Sequence, residues 1–333
     1  MTSNPTDTTR LQNIALAYQQ SAALFAAIEL ELFSAIAEGA STIPAIAAKL
    51  DLAPHQVDRL ATVLTAMELL TKHGPDYANA PDVERFLVKG SPRYAGAWML
   101  FTKPSWSDWG RLGEKLCVKD EKRLGMYEEF SVEDARAYHA ATNSIGMGAA
   151  RRFLKQVDLS GRKLMLDLGG GSGAYSIEAA KAHPALRAIV FDLPPVAVVA
   201  REYIAKHNVA DRVSAMAGDF TANNFPPGAD VVVMASNLPQ YSAELIQLLV
   251  SKAFAAMAPG GEMHLVGEAL HDDRAGPLNP ALWGLNEALS GSTGVAHSEA
   301  ECKAFFAKAG FVDVAVHDFV PGILSRITGR KPD

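Results

Sequence analysis

The residues whose types and spacing could do chemistry begin with Lys163-Leu164-Met165-Leu166-Asp167-Leu168, a short apolar run with one acid in it. It leads directly into Gly169-Gly170-Gly171-Ser172-Gly173, after which residues 174–183 carry a helical pattern. A strand, a glycine loop and a helix in that order let the backbone approach a nucleotide-like ligand closely. Gly169, Gly171 and Ala174 even satisfy the G-x-G-x-x-G/A dinucleotide pattern, which alone leaves the ligand open. Asp167 narrows it, because a carboxylate facing that loop repels a pyrophosphate and suits an ammonium such as that of a methionine moiety. A strand over 188–191 then ends in Asp192-Leu193, where an acid can accept hydrogen bonds from both ribose hydroxyls. A strand over 213–217 ends in Gly218-Asp219-Phe220, which brings an acid and an aromatic ring to the same edge. A fourth, over 230–235, is followed by Ser236-Asn237-Leu238-Pro239-Gln240-Tyr241. A fifth, over 262–268, follows Met257-Ala258-Pro259-Gly260-Gly261 and ends at Glu268.

The elements that must position these residues follow from the pattern. Strands alternating with helical stretches predict an α/β fold, a Rossmann-like doubly wound parallel sheet over 161–333. Ahead of it the chain reads as helical. Ile14, Tyr18, Ala22, Phe25 and Ile28 recur at three- and four-residue spacing, and Leu32, Phe33 and Ile36 continue that stripe to Gly39. Ser41-Thr42 can cap a helix over 44–50, and Ala53-Pro54 opens another with Val57, Leu60, Val63, Leu64 and Met67 facing inward. A turn around Gly74-Pro75 and a small β-wing complete a mainly α, winged-helix-like unit over 1–95. Residues 96–160 read as a helical, aromatic-rich linker with Trp98, Phe101, Trp106, Trp109, Tyr127, Phe130 and Tyr138, suited to an apolar acceptor pocket.

A winged helix raises DNA binding, and charge argues against it. Residues 1–95 carry seven Lys/Arg against ten acids, and the helix that would read bases has Arg59 as its cation. The whole 333-residue chain has a net charge of −6, with 49% hydrophobic and 20% charged residues. That balance supports a sizeable core and opposes nucleic acid or an anionic membrane as partner. The apolar surplus over 24–36 is better explained by a dimer interface, although core packing alone could account for it. Cys117 and Cys302 are too few for a disulfide framework or a cysteine-based zinc site, and no metal is expected. The polar Met1-Thr2-Ser3-Asn4-Pro5 start lacks the basic region of a secretory signal, and the apolar stretch 14–33 is interrupted by Gln19, Gln20, Glu29 and Glu31. The expectation is a cytoplasmic protein.

The ordered set Leu166–Gly173, the Asp192 strand end, Gly218-Asp219-Phe220 and Pro259-Gly260-Gly261 resembles the S-adenosylmethionine-dependent class I methyltransferases. More narrowly, it resembles the caffeate/hydroxyindole O-methyltransferase family, whose N-terminal winged-helix dimerisation domain matches 24–70 here. The resemblance implies S-adenosylmethionine as cofactor, a homodimer and a small-molecule acceptor. It implies that Gly169 and Gly171 approach the methionine part, Asp192 with Leu193 the ribose, and Asp219 with Phe220 the adenine. Asp167, Gly218 and Ser236 complete the expected cofactor set.

The acid–base half departs from the family. A His-Asp-Trp run there follows the fourth strand, and its histidine deprotonates the acceptor hydroxyl. Aligned on Asn237-Leu238, this chain reads Pro239-Gln240-Tyr241, and proline can take no proton. Glu268 matches an acid that the family places beside the histidine, while His297-Ser298 stands where Arg-Thr is common. A base contributes about 10²–10⁴-fold to transfer onto a hydroxyl. A thioether, a neutral amine or an electron-rich carbon has no proton to lose, so loss of the histidine favours such an acceptor or a relocated base at His139, His271 or His297. The resemblance includes a bacterial branch that methylates the thioether of methylthio-hydroxybutyrate on the way to dimethylsulfoniopropionate, and that acceptor is the preferred expectation. Its sulfonium product would suit Trp98, Phe101, Trp106, Tyr138 or Tyr241. A carboxylate of the acceptor would be held by Asn143, Asn237, Gln240, Asn286 or the histidines, with Thr142 and Trp283 completing the acceptor side. Glu268, His271, His297 and Tyr241 are the candidate catalytic residues. The alternatives are an O-methyltransferase of a natural-product hydroxyl with a relocated base, and a non-catalytic S-adenosylmethionine binder.

Overall fold

The computed structural model describes residues 7–119, 122 and 124–333; the Met1–Pro5 start lies outside them. The chain divides into two compact units, Met1–Pro104 and Ser105–Asp333. Residues 96–104, expected to belong with the acceptor-side stretch 96–160, therefore pack with the first unit.

In the first unit, α1 (Thr9–Leu16) and α2 (Tyr18–Glu29) take the place of the single helix expected from the stripe. They are followed by α3 (Leu32–Ala37), α4 (Ile43–Leu50) and α5 (Pro54–Ala66). Glu31, at φ +57°, separates α2 from α3. Thr42 caps α4 by accepting from the Ala45 amide at 3.4 Å, as Ser41-Thr42 predicts. The hairpin β1 (Leu70–His73) and β2 (Asp76–Asn79) forms the wing, its two-residue turn opened by Gly74 at φ +60°. The short helices α6 (Pro81–Phe86) and α7 (Gly96–Phe101) complete the unit. Ala27, Ile28, Leu32, Phe33 and Ile36 pack into one core with Val57, Ala61 and Leu64. The apolar surplus over 24–36 is thus largely internal. Val63, expected inside, is 43% exposed, as are Leu11, Ile14, Leu16 and Tyr18 at 51–62%.

The second unit opens with the short helices α8 (Trp106–Trp109) and α9 (Leu112–Lys115), a 3-10 turn (Gly125–Tyr127) and the long α10 (Val132–Gln156). A capping box starts α10, with Ser131 and Asp134 satisfying each other's backbone amides. Then follow β3 (Leu164–Leu168), α11 (Ala174–Ala182), β4 (Arg187–Asp192), α12 (Pro194–Lys206), β5 (Val213–Ala217) and β6 (Ala229–Ala235). A 3-10 turn (Leu238–Gln240) leads into α13 (Ala243–Ala256), β7 (Met257–Gly267), β8 (Ala269–Leu270), α14 (Leu278–Ser290) and β9 (His297–Ser298). The chain closes with α15 (Glu299–Ala309), β10 (Val312–Val320) and β11 (Leu324–Arg330). Met257–Gly261, expected as a lead-in loop, is the first part of β7.

The main sheet has seven strands in the order β10-β11-β7-β6-β3-β4-β5. β7, β6, β3, β4 and β5 are parallel, and the β10–β11 pair adds an antiparallel edge that the β/α alternation does not announce. Leu166, Val232 and Leu265 belong to one buried cluster, and Met165, Val231 and Val266 to another. Side chains of successive strand residues point to opposite faces, so both faces of the sheet are covered. The chain leaves β3 toward β4 and later returns through β6 on its other side. That reversal is the switch point at which doubly wound sheets open a crevice beyond the strand ends. The glycine loop stands there because β3 precedes it.

Candidate active site

The glycine loop is shaped by its backbone. Gly169 and Gly171 sit at φ +62° and +58°, conformations that cost an L-residue about 1–2 kcal/mol. Space is equally restrictive. A Cβ on Gly169 would stand 2.9 Å from Asn237 Nδ2, and one on Gly171 would stand 2.6 Å from His139 Cε1. Asp192 at the end of β4 accepts from the Gly171 amide at 2.8 Å and from the Leu193 amide at 2.7 Å. Burial pushes its carboxyl up to about 6 against the lowering effect of those amides. Asp167, 1% exposed, accepts from Ser176 Oγ at 2.8 Å, while its Oδ1 has no partner. Burial pushes it, too, up to about 6.

The remaining expected cofactor residues lie on the same strand ends. Asp219 caps its own turn by accepting from the Thr221 amide at 2.8 Å and hydroxyl at 2.7 Å. Gly218 follows β5, and its amide donates to Asp192 O at 2.8 Å. Phe220 is 4% exposed and meets Tyr241 edge-on at 5.4 Å. Ser236 takes φ +61°, a strained αL position for a side chain, at the end of β6.

A second group of residues gathers around tyrosines. Tyr127 OH donates to Tyr138 OH at 3.3 Å and accepts from Gln240 Nε2 at 3.2 Å. Glu268 and Glu287 stand close enough to this group for their charges to raise Tyr138 further, after burial, as does Asp192. Burial pushes Glu268 up to about 7, reinforced by the charge of Glu287. Burial likewise pushes Glu287, 9% exposed, up to about 7 against the opposing pull of Ser292. The Glu268 Oε2 atom is buried without a partner. Tyr241 is held protonated, chiefly by burial and then by neighbouring carboxylates.

The other expected residues divide. His139, 7% exposed, lies on Gly171, and burial pushes its imidazole down to about 4, so it is neutral. Asn143 accepts from Ser172 Oγ at 2.9 Å, which ties it to the glycine loop. Thr142 donates back to the Tyr138 carbonyl at 3.0 Å. Asn237 is a strut, its amide donating to Ala235 O at 2.8 Å and Leu168 O at 3.5 Å, between the ends of β6 and β3. Trp283 and Asn286 are half-buried on α14, and Trp106 is half-buried on α8. Trp98 and Phe101 stack with ring centroids 5.5 Å apart inside the first unit. His297, 1% exposed, bonds through Nε2 to the Tyr241 carbonyl at 2.9 Å and meets Phe305 edge-on. His271 is exposed and lines a separate cleft of about 500 Å³ with residues of β10 and β11. Reasoning from sequence missed Glu287 and passed over Tyr127 as one aromatic among many. No spacing marks Glu287, because only the docking of α14 brings it to the tyrosines.

The set fits a cofactor with a cationic amino-acid end. Asp167 Oδ1 is a buried acceptor without a donor, and the loop beside it is a backbone cradle that a Cβ would fill. Comparison with known proteins decides the family. A sequence profile described as the O-methyltransferase domain matches residues 125–312, and one described as the O-methyltransferase dimerisation domain matches 12–89. This chain belongs to the O-methyltransferase family. It is 29% identical over 331 residues to a 3-hydroxy-5-methyl-1-naphthoate 3-O-methyltransferase of Streptomyces sahachiroi, covering 97% of this chain and 95% of that one. It is 30% identical to the N,N-dimethyltransferase OxyT of Streptomyces rimosus, covering 90% of each. Human N-acetylserotonin methyltransferase, solved with S-adenosylmethionine, superposes over 100% of both chains with a TM-score of 0.83 and 25% identity. The methyltransferase is S-adenosylmethionine-dependent and acts on a small molecule. The comparisons do not support the expected preference for a thioether; the O-methyltransferase alternative fits them better. Among the described residues, no helix is long and apolar enough to cross a membrane, and no cluster of His, Cys, Asp and Glu could hold a metal.

Proposed function

We propose that this methyltransferase transfers the methyl group to a hydroxyl of a small natural-product acceptor. When bound, S-adenosylmethionine supplies an electrophilic methyl on a sulfonium. The chain's part is to hold that cofactor at the switch point and to set the acceptor oxygen in line with it. Asp192 is read as the ribose acceptor, the Asp167 side of the glycine loop as the amino-acid end, and Asp219 as the adenine edge. The tyrosine and carboxylate group around Tyr127, Tyr138, Gln240, Glu268 and Glu287 is read as the acceptor side.

The observation that carries this reading is the whole-length likeness to O-methyltransferases, together with two buried carboxyls raised to about 7 in a unit whose histidine position is Pro239. Transfer to an amine is the second reading, favoured by the likeness to OxyT and by an acceptor that needs no base at Pro239. Purified protein with labelled cofactor, tested on phenols, amines and a thioether hydroxy acid, separates them. Transfer to nitrogen or sulfur with none to oxygen would overturn the hydroxyl reading.

The protein is further read as a homodimer through its first unit. The dimerisation-domain match and the exposed Leu11, Ile14, Leu16 and Tyr18 support this. Its two free thiols fit a reducing compartment such as the cytoplasm.

A further inference from the structure

Pro239 leaves the family's acid–base position without a proton acceptor, and the structure packs a helix that carries another acid, Glu287, on that same turn. α14 packs on the 3-10 turn holding Pro239, on the turn holding Tyr127, and on β8 next to Glu268. The contact at its end is close. A Cβ on Gly294 would stand 2.3 Å from the Pro239 carbonyl oxygen and 2.7 Å from that of Gln240, so only glycine lets the loop lie on this turn. Ser292 Oγ donates to the Gln240 carbonyl at 3.0 Å, and the Ser292 amide donates to the Glu287 carbonyl at 3.1 Å. Through this one residue, the backbone at Glu287 is tied to the turn in which the histidine is missing.

We propose that Glu287 is the proton acceptor for the acceptor hydroxyl, with the buried, unpartnered Glu268 Oε2 as the second site for that proton. The inference rests on the hydroxyl reading above. In the step, an oxygen lone pair of the acceptor forms the O–CH₃ bond, the S–CH₃ pair stays on sulfur, and the O–H proton passes to the Glu287 carboxylate. The cofactor's cation is thereby neutralised and the acceptor leaves as a neutral ether. The charge of Glu287 adds to burial in favouring the protonated form of Glu268. Burial raises both groups to about 7. The titratable groups around Glu287 are Tyr127, Tyr138 and Tyr241, all raised, and Glu268. At the end of α14, Lys115 is engaged with the Leu289 carbonyl at 3.4 Å and with Asp108 at 3.1 Å, and the exposed Lys122 donates its amide to the Gly291 carbonyl at 2.7 Å.

The test is a series of phenols of graded acidity, with kcat/KM followed from pH 5.5 to 9 for the full chain and for Glu287→Gln. The wild type should show an ascending limb near pH 7. Glu287→Gln should lose about 10²–10⁴-fold on phenols that are neutral at the assay pH, and its ascending limb with it. It should keep most of its rate on phenols already ionised, and calorimetry should show unchanged affinity for S-adenosylhomocysteine. Glu287→Asp, which keeps the carboxylate one methylene short, should retain the limb at a lower rate and provides a second variant. Neutral phenols methylated by Glu287→Gln within tenfold of the wild type would overturn the assignment. A wild type that methylates no hydroxyl at all would overturn the hydroxyl reading itself, before any variant is compared.

Discussion

Replacing Gly171 by alanine probes the cofactor cradle with a cost that can be worked out from the structure. Two penalties add. At φ +58° an L-residue loses about 1–2 kcal/mol relative to glycine. The new methyl would also stand 2.6 Å from His139 Cε1, inside normal contact distance, and relieving such overpacking costs about 1–3 kcal/mol. The sum is about 2–5 kcal/mol. If the loop holds its shape, the cost appears as lost unfolding free energy. If it relaxes in the free protein, the cost appears as weaker cofactor binding, roughly 30- to 4000-fold. Calorimetric titration with S-adenosylhomocysteine and urea unfolding, run on the same preparations, capture both. A double-mutant cycle separates the penalties. His139→Ala in the Gly171→Ala background should remove the clash and leave the backbone strain, giving a coupling energy of about 1–3 kcal/mol. A coupling near zero would refute the steric contact between the loop and α10. Unchanged affinity together with unchanged stability in Gly171→Ala would refute the geometry altogether.

Other substitutions test other links. Asp192→Asn should weaken S-adenosylhomocysteine binding by at least tenfold in calorimetry, since it removes a charge that orders the Gly171 amide and is read as meeting the ribose; equal affinity would remove Asp192 from the cofactor site. Stability should fall as pH rises through about 7. Glu268 and Glu287 bind protons in the fold up to about 7 and in the unfolded chain only near 4.5, so their contribution is full below about 4.5 and lost above 7. The difference is about 3 kcal/mol per group as an upper figure, and Glu268→Gln should flatten the melting temperature between pH 5.5 and 8.5. Parallel curves would contradict the burial of this pair. Ile14→Glu, at a position 62% exposed in the single chain, should shift light-scattering mass from dimer to monomer while leaving the far-ultraviolet spectrum intact.

The elements that could be read from sequence share one property: their signal is local. The glycine loop follows β3 because an apolar run must end before glycines can turn, and Thr42 marks the start of α4 through a side chain that reaches its own helix. The strand over 213–217 coincides with β5, Asp167 and Asp192 stand in the last residues of the parallel strands β3 and β4, and Asp219 lies two residues past β5. Where the signal was not local, expectation and structure parted. The antiparallel β10–β11 edge carries no β/α alternation, and Asn237 looked like an acceptor ligand until its amide was seen to hold β6 to β3. His271 and His297 matched the chemistry of a base, yet one is exposed over another cleft and the other is bound to a backbone carbonyl.

The amino-acid order by itself determined that this chain makes a helical unit followed by a doubly wound sheet, that its cradle suits S-adenosylmethionine, and that the histidine position holds Pro239. Each of these depends on neighbours within a few residues or on motif order along the chain. Only the tertiary structure decided which acids are buried near the tyrosines. Glu268 and Glu287 lie 19 positions apart in the chain. Burial raises both carboxyls, and burial is a property of packed surfaces that no spacing rule encodes.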